Sequence, residues 1–354
     1  MHNKTVKQIN IPSLLKIGEG KLLKIGKYLI DRDYINAAIF YSDGIENLVG
    51  PVIQESLVAY DINVTHKDTI NDINIENVIH TAFKIPKETN VLLGIGGGKA
   101  LDYSKYCAHV LSLPFISVPT STSNDGFCSP NASLLVEGKR QSVKATIPYG
   151  VVVDLDFVKS SPEICIFSGL GDLISKITAL WDGKQAFLKG LDFYNDFAGI
   201  VAANSVQLFY NYQFTDITNK EFLYNLSNSL LMSGIAMEIS GSSRPASGSE
   251  HLISHALDKI SAKPRMHGIQ VGIATYLCSM LQNNYYENVK NFLVNTGFVD
   301  YVKQDPLDKK EFIDAIYLGP TIKQGYYTVL SEPDAVKNAV DLVNNEDLLS
   351  LMLK

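Results

Sequence analysis

Through about the first 160 positions, apolar residues fall in short clusters closed by turn-forming residues. Asn36 to Tyr41 is one such run, ended by the turn Ser42-Asp43-Gly44. Val58 to His66 predicts a second strand, and Asn90 to Ile95 a third, just before three glycines. Pro114 to Val118, stopped by Pro119, and Gly150 to Val153 complete the series. Short buried strands separated by helix-length segments predict a parallel sheet with helices on its faces. Between Gly98 and Leu111, the apolar positions Leu101, Tyr106, Ala108 and Leu111 fit a helix about as well as a strand. Its length and the preceding glycines favour the helix. Past about residue 160 the texture changes. Gly171–Leu188, Phe197–Tyr212, Phe222–Ile239, Ser249–Ile260 and His267–Leu281 are long, with little β-type alternation. They predict an all-helical second domain. The turn-rich stretch Asp154–Pro162 places the boundary, giving domains 1–158 and 159–354.

Composition narrows the class. With 46% hydrophobic and 19% charged residues, the 354-residue chain has ample material for two cores and is not of disordered type. A net charge of −6 and the absence of any Lys/Arg run leave no footprint for nucleic acid. No apolar stretch reaches the roughly 18–20 residues of a bilayer span. The first 26 residues mix Lys and Gly through their apolar positions, unlike a secretory leader. Cys107, Cys128, Cys165 and Cys278 are far apart and form no CxxC pair, which fits a reducing cytoplasm. The expectation is a soluble intracellular enzyme.

Two features carry chemistry. Gly94-Ile95-Gly96-Gly97-Gly98-Lys99 lies between an expected strand and an expected helix. Glycines there let a phosphate approach the backbone, and free N–H groups at a helix start favour anions. The spacing matches neither GxGxxG nor the P-loop, and a tight strand–helix connection would use the same residues. Asp102 and Lys105 follow on one helix face. The second feature is a histidine cluster. His251 and His255, four residues apart, project from one face of a helix, and His267 opens the next helical stretch beyond Lys263-Pro264. Converging imidazoles suit a divalent metal, or else a half-buried helix contact. Asp172, following Gly169-Leu170-Gly171, would complete an open site; the same residue would also serve to cap a helix beginning there.

Together these stretches resemble the sn-glycerol-1-phosphate dehydrogenases, within the iron-dependent alcohol dehydrogenase and dehydroquinate synthase superfamily. The resemblance runs from Pro12–Gly26 through Gly96 to Asp102, Pro119 to Gly126 with Ser129-Pro130, and Gly169 to Asp172. It is strongest at Ser243-Arg244-Pro245-Ala246-Ser247-Gly248-Ser249-Glu250-His251, and continues through His255, His267-Gly268 and Tyr327 to Leu330. Asn124 departs from it, where many relatives carry histidine, and so does Gly325-Tyr326, where an arginine often precedes the Tyr-Thr pair. The resemblance implies a dehydroquinate synthase-like fold, with an N-terminal Rossmann-like α/β domain for NAD(P) and an all-α C-terminal domain for metal and substrate. It implies Asp172, His251 and His267 as ligands of a divalent metal, usually zinc, with nickel or iron as the other candidates. Gly96, Gly97, Gly98, Lys99, Asp102, Thr120, Ser121, Thr122, Ser123 and Ser129 would line the cofactor site. Asp125, Asp172 and His255 would face the substrate.

The implied reaction is reduction of dihydroxyacetone phosphate to sn-glycerol 1-phosphate, with His255 relaying the proton. Arg244 and Lys144 are candidates for the substrate phosphate. Asp43, after the first strand, would bond the adenosine ribose and favour NAD over NADP, unless it merely suits its turn. The expected partner is a small molecule only, and the expected assembly a homo-oligomer. The rival readings are a glycerol dehydrogenase for unphosphorylated polyols and a carbocycle-forming lyase like dehydroquinate synthase.

Overall fold

The computed structural model describes residues 9–210 and 216–354. Residues 1–8, part of the N-terminal stretch read as unlike a leader, and residues 211–212 of the expected Phe197–Tyr212 helix lie outside them. The chain divides into two compact units. One comprises the residues up to Thr120 with Gly126–Asp156; the other comprises Ser121–Asp125 and Phe157–Lys354.

The first unit runs β1 (Leu14–Gly18), α1 (Ile25–Ile30), β2 (Asn36–Ser42), α2 (Ile45–Val58), β3 (Asn63–Ile70), α3 (Ile75–Ala82), β4 (Val91–Gly96), α4 (Gly98–Leu111), β5 (Phe115–Pro119), β6 (Asn131–Val136), β7 (Lys139–Lys144) and β8 (Gly150–Asp154). Six strands form one parallel sheet in the order β1-β8-β5-β4-β2-β3. The inner strands β4, β5 and β8 are buried at every position, because helices cover both faces. Phe40, Leu92, Tyr103, Cys107 and Phe115 pack in one of its cores. β6 and β7 form an antiparallel hairpin whose turn residues Glu137 and Gly138 both have positive φ.

Two sequence expectations are corrected here. The second strand is Asn63–Ile70, not Val58–His66, because Val58 is the last residue of helix α2. The edge strand β1 and the hairpin were not expected; β1 is short, only partly buried and interrupted by Lys16, and β7 is largely exposed, so neither carries an unbroken apolar run.

In the second unit, α5 (Leu155–Lys159) leads into α6 (Glu163–Ile174), α7 (Lys176–Leu188), α8 (Asp196–Tyr210), α9 (Lys220–Ser240), α10 (Ser249–Ile260) and α11 (His267–Leu281). There follow α12 (Tyr286–Asn295), α13 (Phe298–Val302), α14 (Lys309–Leu318), α15 (Ala335–Asn345) and α16 (Asp347–Met352). Taken as one run, Glu163–Leu188 is long and apolar enough to cross a membrane, but 78% of its most apolar window is buried inside the protein. It is a core segment. The helix expected from Gly171 starts earlier, at Glu163, and a second begins at Lys176. The four cysteines are free.

Candidate active site

In the first unit, the carboxyl ends of β4 and β5 lie side by side, with the Thr120 N–H donating to the Gly96 carbonyl at 3.1 Å. Gly96 has φ +136°, and a Cβ there would sit 2.2 Å from Ser42 Oγ, so only glycine fits. Gly97 and Gly98 differ: neither has positive φ, and a Cβ on either would meet nothing within 4 Å. Internal packing therefore does not demand those two glycines. They leave open space above the start of α4, whose first N–H groups lack intrahelical acceptors. Such an opening at a helix start can take an anion. Lys99 is exposed at its rim. Asp43 is exposed too, just past β2, the neighbour of β4 in the sheet.

Asp102 is held from two sides. Lys105 Nζ donates to it at 3.1 Å, and the Ser133 N–H at 3.0 Å. The fully buried Lys105 also donates to the Gly126 and Asn131 carbonyls, each at 2.7 Å, and so fixes the turn holding Ser129. Ser129 Oγ is spent on the same turn, donating to the Asn131 carbonyl. Lys144 ends β7, exposed.

In the second unit, Asp172 does not cap a helix: it lies inside α6, two residues from its end. The adjacent glycines serve close packing. A Cβ on Gly171 would fall 1.9 Å from the Gly268 carbonyl oxygen, and one on Gly268 would fall 1.7 Å from that of Ser168. Helices α6 and α11 thus touch backbone to backbone. That contact sets Asp172, next to Gly171, beside His267, next to Gly268. Helix α10 supplies His251. One ligand atom from each of Asp172, His251 and His267 lies within 4.8 Å of the others, and His251 Nε2 is 3.6 Å from Asp172 Oδ1.

Both imidazoles are oriented through Nδ1. His251 Nδ1 donates to Glu250 at 2.8 Å, and the fully buried Glu250 is fixed by Thr178 Oγ1 and the Gly248 N–H, each at 2.6 Å. His267 Nδ1 lies 3.1 Å from Ser254 Oγ, which accepts from Gln270. Nε2 of each ring is left for a shared ligand, the arrangement in which metal-binding histidines are usually held. The exposed His255 ring stands beside the cluster, its centroid 5.8 Å from that of His267.

Lys176, four residues after Asp172, was not singled out by sequence reasoning, because a lysine in a helix ordinarily reads as surface. It is fully buried, 3.2 Å from Asp172 and 3.0 Å from Asp125. The Asp125 N–H in turn donates to Asp172 at 2.8 Å, and Ser233 Oγ donates to the Asp125 carboxylate. Burial alone would raise the Asp172 pKa, but Lys176 and His251 outweigh it and hold the carboxyl well below its usual range. Burial and the Asp172 charge raise that of Asp125. Burial opposes protonation of His251, yet its bonds to Asp172 and Glu250 prevail and lift it to about 9. Burial and the nearby His251 push His267 down. With both imidazoles neutral, as metal ligation requires, three carboxylates (Asp125, Asp172, Glu250) against one ammonium leave two negative charges, which a divalent cation would balance; without the cation, a protonated His251 offsets one of them.

Thr122 in the loop Ser121–Asp125 is fully buried, and its carbonyl oxygen would lie 1.9 Å from a Cβ on Gly169. Its hydroxyl has no partner. Ser121 and Ser123 are partly exposed. Arg244 is buried: Nε donates to Asp192 at 2.7 Å, Nη1 to the Tyr327 carbonyl at 2.6 Å, and the guanidinium stacks 3.4 Å from the Tyr326 ring centre. Only Nη2 lacks a partner, and it too is shut off from solvent, so a phosphate contact would rest on that atom and would require it to be uncovered.

Residues 16–162 match the family model of iron-containing alcohol dehydrogenases. The chain is 32% identical, over 91% of its length and 89% of the relative's, to an NAD(P)+ glycerol-1-phosphate dehydrogenase of Thermococcus sibiricus. It is 33% identical to one from Metallosphaera sedula, covering 92% and 93% of the two chains. A third, from Saccharolobus solfataricus, is 37% identical over 77% of each chain. Among solved structures, glycerol dehydrogenase from Schizosaccharomyces pombe superposes with a TM-score of 0.75 at 17% identity, covering 98% of this chain and 91% of that one. Sulfoacetaldehyde reductase from Bifidobacterium kashiwanohense, solved with NAD+, gives 0.73 at 17% identity, covering 97% and 100%.

Proposed function

Because this chain belongs to the NAD(P)-linked glycerol-1-phosphate dehydrogenase family, we propose that it interconverts dihydroxyacetone phosphate and sn-glycerol 1-phosphate at the Asp172–His251–His267 centre. It is a metal-dependent oxidoreductase using NAD(P) and a small-molecule substrate. The first unit serves the dinucleotide and the second the metal and substrate, with zinc as the metal, the cytoplasm as the compartment and a homo-oligomer as the assembly. The observation that carries the reading is the buried Asp/His/His set, whose Nδ1 atoms are already committed to Glu250 and Ser254.

When bound, a divalent ion supplies a Lewis acid for the C2 carbonyl and NAD(P)H supplies the hydride. The protein's own groups do the rest. The open turn offers the N–H groups of Gly98 and Lys99 to the pyrophosphate, the Gly97 N–H being held by Ser42 Oγ, with Thr120 at its edge. In the first unit, Lys99 and Ser129 line the dinucleotide, and Asp43 accepts from its ribose. Asp102 keeps that lining in place through Lys105 and the Ser133 N–H. Asp172, His251 and His267 hold the ion, with Glu250 and Ser254 fixing their tautomers. Asp125 accepts a hydrogen bond from the substrate hydroxyl, and Lys176 offsets its charge. As hydride reaches C2, the developing alkoxide oxygen takes a proton relayed by His255, exposed enough to exchange with water. The substrate phosphate falls to Arg244 Nη2, with Lys144 the alternative candidate. Oxidation of sn-glycerol 1-phosphate, compared with sn-glycerol 3-phosphate and glycerol, tests the proposal through NADH absorbance. Turnover confined to the 1-phosphate is expected; turnover of glycerol alone would overturn it.

A further inference from the structure

Helix α8 has an unusual outer face. Phe197 through Tyr210 contains no charged residue, although surface helices ordinarily carry charges on the solvent side. Its inner face, with Ala198, Val201, Ala202, Val206 and Phe209, packs inside the second unit, against α9 among other helices. Its outer face presents Phe197, Ile200 and Leu208 to solvent, and the last residue of α7 with the loop after it adds Leu188, Leu191 and Phe193. These six side chains are 50 to 69% exposed. At on the order of 100 Å² each, they uncover roughly 600–700 Å² of apolar surface. The largest patch on a typical monomer is about 300–600 Å². Each side of a stable interface buries about 800 Å², of which somewhat over half is apolar, or about 500 Å². The patch meets that requirement.

We infer that this face, the outer side of α8 with the loop Leu188–Phe193, is where a second copy of the chain docks about a two-fold axis. The inference gives the homo-oligomer proposed above a definite surface. Its chemistry selects that occupant. The acidic chain offers no basic cluster along α8 for a nucleic acid or an anionic membrane. Its flanking charges are mixed, Lys184 and Lys189 with Asp192 and Asp196, and Lys189 and Asp192 are already neutralised within the chain by Glu332 and Arg244, so no single sign repels a second copy. The two-fold operation lays the apolar stripe of one α8 on its counterpart, burying Phe197 and Ile200.

Sedimentation velocity on the full chain tests this. The wild type should be dimeric or larger at about 10 µM, as a micromolar or tighter dissociation constant requires. The double variant Phe197→Glu, Ile200→Glu buries like charges at the contact and should weaken association roughly 100-fold or more, giving monomers. Circular dichroism should show its helix content unchanged. If that variant misfolds, Leu188→Lys with Leu191→Lys probes the same face from the loop and should also dissociate the protein. A monomeric wild type would overturn both self-association and the surface. A variant that folds and stays oligomeric would overturn the surface alone. Wild-type monomers that co-float with phosphatidylglycerol vesicles would overturn the inference in favour of a membrane.

Discussion

Replacing Gly171 by alanine adds one methyl group at the crossing of α6 and α11, and the consequences can be worked from the geometry. The new Cβ would sit 1.9 Å from the Gly268 carbonyl oxygen, whereas ordinary contact begins near 3.4 Å. Neither partner is a side-chain tip that can swing away, so the helices must part by about 1.5 Å. Metal–ligand distances tolerate only about 0.2 Å. Asp172 and His267 are the immediate neighbours of the two clashing residues, so they separate with them. Metal affinity, measured by competition with a chromogenic chelator, should fall about 100-fold or more. The kcat/KM for ketone reduction should fall by a similar factor. Overpacking of about 1–3 kcal/mol should lower the melting temperature by several degrees. NADH affinity, read by fluorescence, should stay within about threefold, because the glycine cradle belongs to the other unit. A folded Gly171→Ala protein that binds metal as tightly as wild type would refute the claim that this backbone contact sets the ligand spacing.

Glu250→Gln should keep the fold but weaken metal binding about 10- to 100-fold, because an amide orients the His251 Nδ1–H less firmly; unchanged chelator competition would count against it. Asp182, buried beside Glu250, has its pKa raised to about 7 by burial and then by that neighbouring charge. A carboxyl whose folded pKa lies above its unfolded value stabilises most at low pH, so on the order of 4 kcal/mol should be lost as pH rises from about 4 to 7. Denaturant melts of wild type and Asp182→Asn across that window check this, with the variant expected to show the flatter profile. Arg244→Ala should raise KM for dihydroxyacetone phosphate at least about 10-fold more than for dihydroxyacetone if Nη2 meets the phosphate. Equal changes, with a lower melting temperature, would assign the guanidinium to its clamp on Asp192 and Tyr327 alone. Asp43→Ala should shift the NADPH-to-NADH ratio of kcat/KM toward NADPH by about 10-fold, and an unchanged ratio would leave Asp43 a turn residue.

Much of the fold is legible because burial writes itself into composition. Strands β4 and β8 lie inside the sheet and so read as unbroken apolar runs, and α4, α10 and α11 start where glycine, serine and histidine signal a helix. Edge elements are not legible in this way. Strand β1 needs apolar residues on one side only, and β3 begins three residues after a short turn that period alone does not reveal. The glycines flanking Asp172 were misread as a break, because a single sequence does not distinguish glycine that ends a helix from glycine that admits another backbone. Lys176 and Glu250 escaped for a related reason. Charged residues in amphipathic segments read as surface until a partner 70 residues away, such as Thr178 for Glu250, shows them buried. Lys105 was legible only as half of a pair with Asp102; its anchoring of the Gly126–Asn131 turn was not.

The central claim is that the centre formed by Asp172, His251 and His267 reduces a phosphorylated ketone. The most direct measurement compares initial rates of NADH oxidation by zinc-loaded protein with dihydroxyacetone phosphate and with dihydroxyacetone. Charge-assisted contacts to a phosphate are worth about 2–3 kcal/mol, so kcat/KM should favour the phosphorylated substrate by about 100-fold, and chelation should abolish both rates. Equal or greater activity on dihydroxyacetone, or rates untouched by removing the metal, would contradict the account.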